Sequence, residues 1–203
     1  MTQSSDSLRL FVAVELPDTW RQGLAGLQDR MRHALSADPR TAAVRLRWVR
    51  PEGVHLTLKF IGEVAADRLP VIEAQLALAV PEMPSITLQL GRAGAFSDRR
   101  SPRVIWAGVY SEQAERLQRL AKSVETWLAA AGIPRDRRGF IAHLTLARLS
   151  NDLSDDQRRR VAELTAGVEQ PQLPAFTIER LSLMRSHIGP GGARYERLAA
   201  FPA

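Results

Sequence analysis

The tetrapeptide His-Leu-Thr-Leu occurs twice, at His55–Leu58 and at His143–Leu146. The chain has only four histidines, and two of them open this same word. Given a histidine, composition alone places Leu-Thr-Leu after it roughly once in a thousand times or less. On a β-strand, residues i and i+2 share a face. Each copy therefore presents one imidazole and one hydroxyl, while its two leucines sink into a core behind. Imidazole gives and takes protons near neutral pH, and a hydroxyl donates hydrogen bonds to phosphoryl oxygens. Two imidazoles flanking a phosphodiester divide the labour: one takes a proton from attacking water, the other gives one to the leaving oxygen. A lone histidine on a half-buried strand is more often a packing residue. Two identical copies reverse that expectation. A metal site needs three or four ligands, and the chain has no cysteine and no close His/Asp/Glu cluster around either copy. No cofactor is expected.

The chain resembles the two-histidine phosphoesterases, and within them the bacterial and archaeal RNA 2′,3′-cyclic phosphodiesterases, also called 2′-5′ RNA ligases. The resemblance is carried by the opening strand Arg9–Pro17, by Trp48-Val49 and the first motif with its extension to Glu63, and by Pro102–Val109. The second motif, Phe140 to Arg148, and the closing Ser186 and Tyr195 complete it. That family often has proline directly before the second histidine; here the residue is Ala142. The resemblance implies His55 as proton donor to the leaving ribose oxygen and His143 as proton acceptor from water. The motif sequences are nearly symmetric, so sequence supports the pairing better than the assignment of roles. Thr57 and Thr145 are expected to hold phosphoryl oxygens. Arg148 either steers the phosphate, makes a structural pair or lies at a solvated strand end, and simple alternation puts it on the opposite strand parity from His143. Phe140, Trp48 and Tyr195 either stack on a base or pack in the core. His187, beside Ser186, either reaches the cleft or lies exposed. His33, between Arg30 and Arg32, reads as solvated.

A chain of 203 residues is long enough for a sizeable core. Hydrophobic content of 45% and charged content of 25% are ordinary for a soluble globular protein. No apolar run reaches the 18 or so residues of a membrane span, and the polar start, Met1 to Ser7, reads as a short mobile tail rather than a secretory leader. Absence of cysteine excludes disulfides and thiol chemistry. Together these favour the cytoplasm with no membrane partner; a monomer is expected. Net charge is +6, and all but two of the 28 basic residues are arginine. Arginine suits bidentate phosphate recognition, although a GC-rich genome also inflates it, and most charge clusters are solvated faces.

Periodicity and breakers give the elements that must carry the motifs. Residues 8–16 read as a strand, and Asp18 caps a helix to about Leu35. Ala37–Thr41 is a loop, Arg45–Val49 a strand, and Pro51 with Gly53 turns the chain into a motif strand over 54–61. A helix over Asp67–Val80 ends at Pro81 and Pro84. Strands follow at Ile86–Leu90 and 103–110, with Gly91–Pro102 as a basic Gly/Ser loop between them. A helix over Glu112–Ala131 stops at Gly132 and Pro134. The basic loop Arg135–Gly139 leads to the second motif strand, 140–147. A short polar helix over Asp152–Thr165 precedes a strand at Phe176–Ser186, a turn at Gly189–Gly192 and a hairpin strand at Tyr195–Leu198. The expected fold class is α+β. By the family resemblance it is one bilobal domain over 1–203, with one motif per lobe, two antiparallel sheets and outer helices around a central cleft. Its expected partners are RNA ends or nucleotides bearing a 2′,3′-cyclic phosphate, with reverse ligation of RNA halves as the same chemistry run backward. A small cyclic nucleotide, a 2′-5′ oligonucleotide, or a non-catalytic nucleotide-binding role are the competing readings.

Overall fold

The apolar alternation of the first strand sets the architecture. In β1 (Ser7–Glu15) Leu10, Val12 and Val14 are buried in the main core, while Phe11 and Ala13 belong to a separate small cluster with Met184 and Tyr195. The two faces of this strand therefore serve different ends, packing on one side and the cleft on the other. The computed structural model describes residues 7–79, 85–98, 101–136, 139–189 and 192–202. The further strands are β2 (Leu46–Trp48), β3 (His55–Ala65), β4 (Thr87–Asp98), β5 (Ser101–Tyr110), β6 (His143–Leu149), β7 (Phe176–Thr177), β8 (Arg180–Gly189) and β9 (Gly192–Pro202). The helices are α1 (Asp18–Ala37), α2 (Leu69–Ala79), α3 (Ala114–Ala130) and α4 (Asp155–Ala166).

All strand pairs among the described residues are antiparallel, in the order β7-β4-β5-β6-β3-β1-β8-β9, with β2 added beside β6. The α+β expectation holds. The two separate sheets do not: one curled sheet of nine strands runs through both halves of the chain. The halves join at β6: the motif strands β3 and β6 meet at the single bridged pair Leu56↔Leu144, and β2 pairs β6 over Leu46–Trp48. So narrow a seam leaves no local sequence signal. Leu56, Leu58, Leu144 and Leu146 face the main core, where they join Trp20, Leu24 and Met31 of α1, Ile72 and Leu76 of α2, Leu120, Val124 and Leu128 of α3, and Val161 of α4. No helix among the described residues is long and apolar enough to cross a membrane.

Several boundaries move for identifiable reasons. The expected loop Gly91–Pro102 is instead most of a hairpin, because β4 continues to Asp98 and β5 starts at Ser101. Its glycines are close-approach positions within a strand: a Cβ on Gly94 would lie 2.6 Å from the Trp106 ring on β5. The last helix starts at Asp155, since Ser154 and Gln157 form a reciprocal capping box. The strand expected over Phe176–Ser186 is broken into β7 and β8. Phe140 precedes β6 and is not part of it. Pro81 and Pro84, most of the N-terminal tail and the middle of the Gly189–Gly192 turn lie outside the described residues.

Candidate active site

With Leu56 opposite Leu144, antiparallel register sets His55 beside Thr145 and Thr57 beside His143. The four polar side chains share one face, and the histidines occupy a diagonal. The strand entries aim both rings identically. His55 Nδ1 donates to the Gly53 carbonyl at 2.8 Å, and His143 Nδ1 donates to the Ile141 carbonyl at 2.7 Å. A carbonyl only accepts, so each bond keeps a proton on Nδ1 and leaves Nε2 as the nitrogen that can give or take a proton. Aromatic walls hold the rings. Phe11 stacks on His55 at 4.6 Å and 26°, with Tyr195 edge-on at 4.9 Å. Phe96 meets His143 edge-on at 4.7 Å and itself stacks on Trp106.

The duplication extends past the tetrapeptide. In each motif strand the fourth residue is an extra one. Leu58 is skipped between Val12↔Lys59 and Ala13↔Thr57, and Leu146 between Ile105↔Ala147 and Trp106↔Thr145. From each histidine the next five residues repeat the same burial pattern, with two adjacent inward residues and then an exposed one. A β-bulge reverses side-chain parity downstream of itself. Arg148 is thereby turned to the same face as His143 and Thr145, contrary to simple alternation, and Phe60 occupies the equivalent place after His55. Both line the cavity that contains Thr57 and Thr145.

The chain matches the LigT like Phosphoesterase family over residues 14–106 and 108–195. It belongs to that family. Among its relatives, a protein of Archaeoglobus fulgidus named RNA 2′,3′-cyclic phosphodiesterase is 31% identical over 194 residues, covering 96% of this chain and 99% of the relative. One of the same name from Methanothermobacter thermautotrophicus is 29% identical over 194 residues, covering 96% and 98%. The crystal structure of E. coli LigT complexed with 3′-AMP superposes with a TM-score of 0.65 at 26% identity, covering 97% of this chain and 98% of that one. A Thermus thermophilus structure gives a TM-score of 0.66 at 26% identity, covering 96% and 97%.

On this LigT-like frame the motif residues border three connected spaces. A cavity of about 300 Å³ is lined by His55, Thr57, Thr145, Arg148 and Tyr195, with Arg9 at its edge. A groove of about 850 Å³ adjoins it at Thr57 and Phe60 and runs past His143, Phe96 and Phe140 to Arg119 of α3. On the other side of His55, a third space of about 730 Å³ is bordered by Arg50, Tyr195 and Arg194. Phe140 thus borders the groove while also packing on the core. Trp48 lies with the core and under Arg32, whose guanidinium carbon is 4.6 Å from its ring centre; it borders none of these spaces. His187 bonds Glu196 at 2.9 Å on the β8–β9 hairpin and also borders none of them. His33 is exposed, as expected. Phe60, Phe96 and Glu15 carried no assignment in the sequence reading. Phe60 was findable, because it follows His55 by the interval that separates Arg148 from His143.

Burial is the main force on both imidazoles. It pushes His55 down to about 4, against an opposing pull from the Gly53 carbonyl; His143 and Arg148 push it down further, while Glu15 acts to raise it. His143 is also lowered, by burial first and then by Arg148, with the Ile141 carbonyl opposing. Burial raises Tyr195, with Arg148 and Arg9 opposing. Glu15 is cross-strand from His55. Burial acts to raise its carboxyl, but bonds from Ser182 at 2.8 Å and Arg197 at 2.9 Å outweigh that and keep it ionised. No group of three or more His, Asp or Glu side chains is placed to share a metal ion among the described residues.

Proposed function

We propose that the protein is an RNA 2′,3′-cyclic phosphodiesterase that opens a terminal cyclic phosphate to a 2′-phosphate. The observation that carries this reading is the pair of carbonyl-held imidazoles on the diagonal, with a threonine hydroxyl beside each. His143 Nε2 takes a proton from water as the water oxygen attacks phosphorus. The P–O3′ bond breaks on the opposite side, and His55 Nε2 delivers a proton to O3′. Thr57 and Thr145 donate to the non-bridging oxygens, and Arg148 stabilises the charge that builds there. Tyr195, edge-on to His55, borders the ribose.

Glu15 favours donation by His55: its carboxylate acts to raise that imidazole, against the larger lowering by burial that leaves it at about 4. In the empty cleft both rings are held towards the neutral form. An anionic phosphodiester between them offsets that burial penalty and lets one ring carry the proton it must give away. The names of the relatives, RNA 2′,3′-cyclic phosphodiesterase, support the same substrate.

The direct test is hydrolysis of an oligonucleotide ending in a 2′,3′-cyclic phosphate, with the product identified by its phosphate position. A 2′-phosphate is expected, at the same rate with and without EDTA, because both proton transfers come from imidazoles. Loss of activity on chelation, restored by one divalent ion, contradicts the two-imidazole mechanism.

A further inference from the structure

The bulge at Leu146 is what turns Arg148 into the cavity, and a buried side chain from α1 holds it from behind. Gln28 is completely buried on a helix face otherwise made of Trp20, Leu24, Leu27, Met31 and Leu35. An amide in such surroundings costs free energy unless it is hydrogen-bonded. Its Nε2 donates to the Val49 carbonyl at 2.8 Å and to the Leu146 carbonyl at 3.0 Å. The Leu146 carbonyl also accepts from Val49 N at 2.9 Å. Leu146 is the extra residue of β6, and Val49 directly follows β2. One amide therefore ties the bulge to the strand on its open side. Its Oε1 is buried with no hydrogen-bond partner among the described residues, so the side chain serves there through its N–H donors. A leucine of similar size would fill the space without that orphaned oxygen. An amide bonded to two backbone carbonyls at this point serves the backbone of the bulge rather than packing.

We propose that Gln28 is a positioning residue for Arg148: it fixes the β6 bulge at Leu146, and the bulge aims the guanidinium at the phosphoryl position between the histidines. This rests on the reading that Arg148 meets the phosphate. Gln28 itself touches no reacting atom. It acts through one backbone carbonyl, two residues before Arg148.

Gln28→Leu removes both donors at nearly constant volume, and Gln28→Met is a second, more adaptable replacement should leucine impair folding. With the cyclic-phosphate oligonucleotide, either variant is expected to lose about tenfold in kcat/KM, a part of what a charge-assisted hydrogen bond contributes. The pH profile provides the readout that a merely structural role does not move. Arg148 lowers both histidines, so displacing its charge is expected to move both limbs to higher pH, as is Arg148→Gln. In an Arg148→Gln background, the Gln28 substitution is expected to cost less than about twofold more, because the two act as one unit. Equal losses in both backgrounds, or a lower Tm with an unshifted pH profile, overturn the positioning role alone. Full activity in Arg148→Gln overturns the phosphate reading and this role with it.

Discussion

Replacing either His55 or His143 by alanine is expected to lower kcat by about 10²–10⁴-fold, the range for loss of a general acid or base. The expectation follows from shared geometry. Each ring is locked by a carbonyl two residues upstream and walled by aromatics, so neither can swing across to replace the other. The double substitution is expected to cost far less than the product of the single losses, because one displacement needs both transfers together. His55 is packed between Phe11 and Tyr195, so His55→Gln, which fills more of that space, separates loss of the proton carrier from loss of packing. Steady-state kinetics on the cyclic-phosphate oligonucleotide checks both positions. Near-wild-type kcat in either single variant removes that histidine from the chemistry.

Arg148→Gln is expected to reduce kcat/KM by about 10- to 100-fold, the range for a hydrogen bond to a charged group. A pH signature accompanies the loss. His55 is pushed to about 4, and His143 is also lowered from 6.5. The wild-type kcat/KM profile is therefore expected to be bell-shaped, with its maximum on the acid side of 6.5. The two limbs belong to the coupled pair rather than to single residues. Arg148 is one of the groups lowering both imidazoles, so its removal raises both. Base and acid then titrate at higher pH, and the whole bell moves upward. A tenfold loss with an unmoved profile would mean that Arg148 contributes packing or substrate docking without acting on the pair electrostatically.

Sequence made the histidine pair readable because chemistry and periodicity coincide in His-Leu-Thr-Leu. The same alternation then misled at Arg148, since parity counting holds only until the first bulge. The second motif contains a cue: Leu146 and Ala147 are adjacent apolar residues, as a bulge with two inward positions requires. The first motif hides it, because its equivalent inward residue is Lys59. That lysine is buried by bonding Glu125 and the Pro134 carbonyl, 66 and 75 residues away, and nothing local announces such partners. Gly91 and Gly94 read as loop for a related reason, because Gly108 and Trp106 on the neighbouring strand press against them. The single sheet was equally hidden. Whether the two halves join or stay apart depends here on long-range pairs, Leu56 with Leu144 and β2 with β6, and buried leucines have the same local pattern in either arrangement.

The central claim is that the two imidazoles divide acid and base work, with His55 serving the leaving oxygen. A substrate with sulfur in place of the 3′ oxygen tests it most directly, because a thiolate leaves without protonation. The measurement is the rate of ring opening of that thio-substrate by the wild type, His55→Ala and His143→Ala. The expected result is recovery of most of the lost rate in His55→Ala and none in His143→Ala. Recovery in His143→Ala instead would reverse the two roles, and recovery in neither would contradict acid catalysis by this pair.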